Sequence, residues 1–276
     1  MNALQHFFHT VNVYRLHIVC AFTLLAYLFT FPYVRDPWGL PFLSSLLAMA
    51  SLWAAFYIGN KYFDYAEDSV SQPTEARSNR YVRNLTIALY TLPVPVFLLL
   101  EFSLWYYLLL VVGTLLYSLP LPGTTVRMKT ILGVKNLYAA FMWWLGVATF
   151  VYFHTSLLTF SQALANTFDV FLFLLVIELL WDIRDVAGDK AAGNITVPVY
   201  CGVLVTKLCI IAVVLVTWYS KAFTLNPLIL TNLVYLGAVA AWARPGFSAY
   251  YFHAVVYVEV GYMLTQIILL SNQYSL

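Results

Sequence analysis

Charge is what this 276-residue sequence has least of, since only 9% of its residues are Asp, Glu, Lys or Arg. Soluble domains carry roughly 25% charged residues, so the composition excludes an ordinary water-soluble globular protein. The net charge is +2 and no basic tract is present, and we therefore expect no nucleic-acid partner. Three cysteines without a C-x-x-C spacing indicate neither a disulfide framework nor a zinc site.

Long apolar runs are present instead. Hydrophobic residues make up 62% of the chain, and the mean hydropathy is +0.81. A membrane helix needs about 20 mainly apolar residues, and nine stretches approach that length. They lie near residues 12–32, 39–63, 84–100, 103–119, 134–152, 167–186, 203–220, 227–243 and 249–271. We therefore expect an all-α polytopic membrane protein of about nine transmembrane helices.

The basic residues predict an orientation for these spans. With nine spans and a cytoplasmic N-terminus, every Lys and Arg except Arg35 and Lys221 falls on the cytoplasmic side, which is the bias that membrane proteins follow. Residues 1–276 are predicted to form one integral membrane domain. Spans one to four and five to eight read as related halves followed by a ninth helix, and such halves are expected to enclose a central cavity.

The few charges are concentrated in three segments. Sixteen of the 26 charged residues lie within 60–83, 127–135 and 182–190, all at the predicted cytoplasmic face. In the first segment Asn60, Asp64 and Asp68 recur in steps of four, which places them along one face of a helix. This segment alone is also compatible with a solvated helix end.

The third segment, together with Glu178 just before it, carries the more specific pattern. Steps of four, three and four align Glu178, Asp182, Asp185 and Asp189 on one face at the end of the sixth span. Ionisable residues within a membrane span are functional-site candidates by default. The structural alternative is an internal ion pair between these acids and a neighbouring base.

These residue types indicate a ligand class. Carboxylate and amide oxygens without His or Cys favour Mg²⁺, which phosphate oxygens and waters also coordinate. Two acidic clusters with a basic rim therefore fit a metal-bridged diphosphate, and a membrane-embedded diphosphate with an apolar tail indicates an isoprenoid. Simple cytoplasmic anchoring is the alternative for each base. The basic rim comprises Arg77, Arg80, Arg127, Lys129 and Lys135.

Three motifs together resemble the UbiA superfamily of intramembrane prenyltransferases. The first resembles N-D-x-x-D-x-x-x-D and is matched by Asn60, Asp64 and Asp68. The second resembles D-x-x-D-x-x-G-D-x-x-x-G-x-x-T-hydrophobic-P and is matched by Asp182, Asp185, Gly188, Asp189, Gly193, Thr196 and Pro198. The segment between them is similar in Tyr117, Ser118, Pro120, Arg127, Lys129, Lys135 and Asn136. The sequence departs from the family pattern at Lys61, where an Asp is usual.

The resemblance implies Mg²⁺-dependent ionisation of an allylic isoprenyl diphosphate and transfer of the prenyl group to a lipophilic acceptor, either aromatic or a lipid. It implies catalytic and metal-binding roles for Asp64, Asp68, Asp182, Asp185 and Asp189, with Asn60 as a further metal ligand. We expect diphosphate binding by Asn60, Lys61, Arg77, Arg127, Lys129, Lys135 and Asn136. For Lys61, where the sequence departs from the family pattern, the alternative is that the cation removes a metal or substrate contact. Two alternatives stay open, namely a membrane terpene cyclase that needs no acceptor and a cation-coupled transporter.

Overall fold

The computed structural model describes residues 3–34, 36–65, 69, 80–101, 104–120, 122–124, 126–155, 157–222 and 227–274. Asp68 and Arg77, both predicted site residues, lie outside these ranges. The described residues form helices and connecting loops, with no β-strand among them. The helices are α1 Ala3–Val13, α2 Leu16–Thr30, α3 Leu40–Phe63, α4 Arg80–Thr91, α5 Pro93–Leu99, α6 Leu104–Ser118, α7 Val134–His154, α8 Phe160–Asn166, α9 Phe168–Ala192, α10 Val197–Tyr200, α11 Val203–Ala222, α12 Pro227–Trp242 and α13 Ala249–Tyr274.

Several helix boundaries have a clear backbone cause. Arg15 has φ 54 in the left-handed region, so the first apolar stretch begins a new helix at Leu16 rather than continuing from residue 12. Pro93 starts α5 within the predicted third span, because proline has no amide hydrogen for the preceding helix. Helix α9, which contains most of the predicted sixth span, ends at Ala192 and is followed by Gly193 with φ 73. Glycine adopts this left-handed conformation without a steric penalty.

Five helical segments are long and apolar enough to cross a membrane. A sixth span results if α8 and α9, which meet at a 50° bend, cross as one unit. Three shorter apolar helices, Leu104–Ser118, Val203–Tyr219 and Leu230–Trp242, lie within the remaining predicted spans. The protein is therefore an all-helical, multi-pass membrane protein, and the count of nine crossings stays a prediction.

Aromatic stacking joins the helices that surround the cavity described below. The ring of Trp143 on α7 is stacked 5.2 Å from Tyr57 on α3 and 4.6 Å from Phe22 on α2. Offset stacking of this kind adds about 0.5–1.5 kcal/mol beyond the burial of apolar area. The stack holds α2, α3 and α7 together directly beside the polar side chains of α3 and α9.

Candidate active site

A buried cavity of about 100 Å³ collects most of the predicted site residues. It lies between α2, α3, α6, α7 and α9, and the short 3-10 turn Met128–Thr130 contributes one further side chain. Its polar lining comprises Arg15, Asn60, Lys61, Asp64, Tyr117, Lys129, Lys135, Glu178, Asp182, Asp185 and Asp189. The two acidic motifs, more than 100 residues apart in the sequence, therefore face one another across a single space.

Asp64 is held by the basic loop that follows α6. Its Oδ1 lies 2.6 Å from Lys129 Nζ and 3.4 Å from Arg127 Nη1. The loop is shaped by an isolated antiparallel bridge between Pro120 and Arg127. Because α3 ends at Phe63, Asp64 caps the helix rather than lying within it, although its amide still bonds the carbonyl of Asn60 at 2.8 Å.

Asp182 and Asp189 share one lysine of α7. Lys135 Nζ lies 2.7 Å from Asp182 Oδ1 and 3.6 Å from Asp189 Oδ2. Asn136 donates to the other Asp182 oxygen at 2.9 Å, and Asn194 donates to Asp189 Oδ1 at 3.3 Å. Both oxygens of Asp182 are thus occupied by neighbouring side chains, whereas Asp189 Oδ2 is buried and accepts no hydrogen bond from the described residues.

Asp185 has a different kind of partner. Arg184 binds both of its carboxylate oxygens at 2.7 Å, through Nε and Nη2, and the same guanidinium lies 4.1 Å from the centre of the Trp181 ring. This bidentate pair fixes Asp185 through its sequence neighbour. The ion pair that was the structural alternative for the acidic series therefore applies to Asp185.

Asn60 and Lys61 are positioned by the last turn of α3. Asn60 Oδ1 accepts a hydrogen bond from the Ser118 hydroxyl of α6, which orients the amide toward the cavity. Lys61 is only 1% exposed and lines the same cavity. A buried lysine here places a positive charge among the carboxylates at the position where the family motif usually has an acid.

Two charged residues of the cavity, Glu178 and Arg15, were absent from the predicted site. Glu178 belongs to the aligned acidic series of α9, so its spacing was a usable signal. Arg15 has no such signal, because it stands alone in the sequence between α1 and α2. Its guanidinium lies 4.9 Å from the centre of the Trp181 ring and 6.0 Å from that of Tyr57, and the left-handed backbone at Arg15 sets the direction in which the side chain leaves the chain.

The donor set fits a hard divalent cation in chemistry, because it offers carboxylate and amide oxygens and no His or Cys. Within the described part of the chain, no three acidic, His or Cys residues are grouped closely enough to hold a metal ion. The carboxylates of Asp64, Asp182, Asp185 and Asp189 each form an ion pair with a Lys or Arg instead. Asp189 Oδ2 is buried and accepts no hydrogen bond from these residues, although Lys135 Nζ lies 3.6 Å away, so this oxygen retains capacity for a cation.

The remaining wall of the cavity is apolar and aromatic. Phe56, Tyr57, Tyr117 and Trp181 supply ring surfaces, and Ile18 with Ala139 and Ile177 supplies aliphatic surface. Ring faces attract cations by about 0.5–2 kcal/mol, with the larger value in sites that exclude water. The cavity thus combines a polar end that suits a phosphate group with an apolar wall that tolerates positive charge.

Comparisons with known proteins agree with this arrangement. The family model described as the UbiA prenyltransferase family matches residues 19–257. A UbiA homolog from Archaeoglobus fulgidus bound to GPP and Mg²⁺ has 16% sequence identity and a TM-score of 0.70, over 94% of this chain and 99% of that one. A UbiA homolog from Aeropyrum pernix has 16% identity and a TM-score of 0.59, over 98% and 99% of the two chains.

A third solved structure, concerned with digeranylgeranylglyceryl phosphate synthase in membranes, has 12% identity and a TM-score of 0.55, over 96% of each chain. At these identities the structural likeness establishes the fold alone. No curated protein matches the sequence. Because the family model covers most of the sequence, and the three motifs meet at one cavity, the chain belongs to the UbiA prenyltransferase family.

Proposed function

We propose that this protein is a Mg²⁺-dependent intramembrane prenyltransferase that ionises an allylic isoprenyl diphosphate and transfers the prenyl group to an aromatic or lipid acceptor. The observation that carries the proposal is the meeting of Asp64 and Asp182, from distant helices, in one buried cavity with Lys129 and Lys135. A diphosphate needs cations, and an allylic tail needs apolar surface. This cavity offers both.

The polar residues have two tasks in this proposal. Lys129 and Lys135 stabilise the diphosphate as it departs, and such fixed charges act strongly where water is excluded. Bound Mg²⁺ would supply further electrophilic stabilisation of the leaving group. The metal would be held by the carboxylates of the two motifs and by one amide, namely Asp64, Asp68, Asp182, Asp185, Asp189 and Asn60. The diphosphate would be held by Asn60, Lys61, Arg77, Arg127, Lys129, Lys135 and Asn136.

The apolar wall serves the carbon skeleton. When the C1–O bond breaks, its electron pair leaves with the diphosphate and an allylic cation remains. The rings of Tyr57 and Tyr117 line the cavity, and in this proposal their negative faces stabilise the allylic cation. The acceptor then forms a new bond to C1 and releases a proton, which completes the transfer.

The comparisons support this proposal without fixing the acceptor. One structure of the Archaeoglobus fulgidus homolog is bound to GPP and Mg²⁺, and another to DMAPP and Mg²⁺. Isoprenyl diphosphates are therefore the substrates to test first.

We also propose that both acidic motifs and the N-terminus face the cytoplasm, as the distribution of basic residues predicts, and that the chain forms one membrane domain of two related halves and a ninth helix.

The decisive experiment measures diphosphate release and organic products from purified protein in lipid nanodiscs. GPP is supplied with Mg²⁺ or with a chelator, and with or without a phenolic or lipid-alcohol acceptor. Transfer predicts release that requires Mg²⁺ and a prenylated acceptor. Cyclic hydrocarbon formed without any acceptor would establish the cyclase, and a folded protein that releases no diphosphate under any condition would contradict both enzymatic functions.

Matched variants test the site itself. Asp64→Asn is expected to lower kcat by about 10²–10³-fold, the usual effect of removing one electrostatic group from a reacting centre. The control is Asp36→Asn, because Asp36 is exposed in the loop between α2 and α3 and does not line the cavity. Equal rates for the two folded variants would remove Asp64 from the catalytic site.

A further inference from the structure

A second cavity lies between α2, α9, α11, α12 and α13. Its volume is about 260 Å³. Among the described residues it shares no lining side chain with the cavity of the candidate active site, which we call the acidic cavity. Helix α2 passes both cavities, with Ile18 at the first and Leu25 at the second, and seven residues of helix span about 10 Å. On α9 the two cavities adjoin, because Val176 lines the second and its neighbour Ile177 lines the first.

Most of the second cavity is lined by apolar side chains, including Leu25, Phe173, Val214, Leu236 and Met263. Its volume lies between the about 150 Å³ of an apolar cavity that admits benzene and the roughly 300 Å³ at which typical small-molecule sites begin. Such a lining suits a hydrocarbon chain.

One polar group in this lining has an unmet hydrogen-bonding requirement. Glu259, near the middle of α13, is 1% exposed. Asn232 Nδ2 on α12 donates to its Oε2 at 3.0 Å. Its Oε1 is buried and has no hydrogen-bond partner among the described residues. A buried polar atom without a partner is costly in either protonation state, and an acid within a membrane span is a functional-site candidate.

The chemistry of the lining narrows the ligand. A hydroxyl group both donates and accepts, so it satisfies Oε1 whether the carboxyl group is ionised or protonated. The lining residues that the structure describes include a second acid, Asp169, and no Lys, Arg or His. A phosphate or carboxylate head group would therefore lack a counter-charge there and would face two acids.

A larger recess adjoins the second cavity. It has a volume of about 580 Å³, shares Leu28, Phe29, Asp169 and Leu172 with the second cavity, and extends to Pro32 and Tyr33 in the 3-10 turn that follows α2. We propose that the second cavity is a binding site for an uncharged lipophilic alcohol, with its hydroxyl bonded to Glu259 Oε1 and its hydrocarbon chain packed among the side chains of α2, α9 and α11.

The test uses the full chain in phosphatidylcholine nanodiscs and three photoactivatable probes of equal chain length. They are dodecanol, dodecane and dodecylamine, each carrying a diazirine, and labelled peptides are mapped by mass spectrometry. The alcohol is expected to label α2, α9 and α11 about tenfold more than the alkane, which corresponds to one hydrogen bond. Glu259→Leu is expected to remove that preference.

The controls separate the alternatives. Thr265→Leu changes an exposed residue of the same helix and should leave labelling intact. Val214→Phe, which fills the cavity while retaining the carboxyl group, should abolish labelling even if Glu259→Leu fails to fold. Equal labelling by alcohol and alkane, stronger labelling by the amine, or no labelling of the cavity would each overturn the proposal. Displacement of the alcohol by GPP would overturn it too, because the cavity would then belong to the prenyl substrate.

Discussion

Lys135 Nζ lies 2.7 Å from Asp182 Oδ1, and this ion pair joins α7 to α9 at the polar end of the acidic cavity. Only 15% of the Lys135 side chain and 2% of the Asp182 side chain are exposed. A charge buried to this extent needs its partner, because water cannot replace the lost interaction. Lys135, which is proposed to bind the diphosphate, and Asp182, which is proposed to bind the metal, therefore also hold the site together.

Removal of the lysine should expose this structural role. Lys135→Met is expected to lower the free energy of unfolding by about 3 kcal/mol, because Asp182 would stay buried without its counter-charge. The double variant Lys135→Met with Asp182→Leu should lose less than the sum of the two single losses. Unfolding in mixed detergent measures all three. Lys190→Met, at an exposed position of α9, is the control and should change stability by about 0.5 kcal/mol or less.

Lys61, which stands where the first family motif usually has an Asp, is predicted to bind the diphosphate. Lys61→Met should raise the KM for GPP by about tenfold or more, since a hydrogen bond to a charged group contributes about 1.5–3 kcal/mol. Lys61→Arg, which keeps the positive charge, should raise it less. Steady-state kinetics with Lys190→Met as the exposed control distinguish a local effect from general damage, and an unchanged KM in Lys61→Met would contradict the assignment.

The ring of Tyr57 is predicted to stabilise the allylic cation. Tyr57→Leu should lower kcat by about tenfold with little change in KM, because the cation exists only after ionisation. Tyr57→Phe retains the ring face and should preserve most of the rate. Tyr106→Leu makes the same substitution in an aromatic cluster with Phe153 and Phe160, away from the cavity, and should leave kcat unaltered. A Tyr57→Phe variant as slow as Tyr57→Leu would point to the hydroxyl instead.

The glycine that closes α9 is predicted to be required for its backbone conformation. Gly193 has φ 73, and a left-handed conformation costs a residue with a Cβ about 1–2 kcal/mol. Gly193→Val should therefore lower the Tm, whereas Gly193→Asn should lower it less, because asparagine tolerates this region.

The contrasting control for this prediction is Gly261→Ala within α13. Gly261 lies in a regular helix, and the space that an alanine methyl group would enter there is open. Alanine should therefore stabilise the protein by about 0.5–1 kcal/mol. A Gly193→Val protein with an unchanged Tm would show that the end of α9 does not depend on this residue.

Local features of the site followed from the sequence. The spacing of Glu178, Asp182, Asp185 and Asp189 predicted one polar face, and the cavity is lined by all four. Helical hydrogen bonds join residues four apart, so this periodicity needs no information from the rest of the chain. The same reasoning was less accurate at Asp64, because α3 ends one residue earlier.

The apolar composition of the sequence determined that the protein lies in a membrane, and the helical spacing of its residues determined which side chains share a helix face. Tertiary packing decided which charges meet. It paired Asp64 with Lys129 and Asp182 with Lys135, brought the isolated Arg15 to the acidic cavity, and enclosed Glu259 beside Asn232 in the second cavity. These contacts join residues far apart in the sequence, and their energies depend on burial and distance, which are set only when the helices pack.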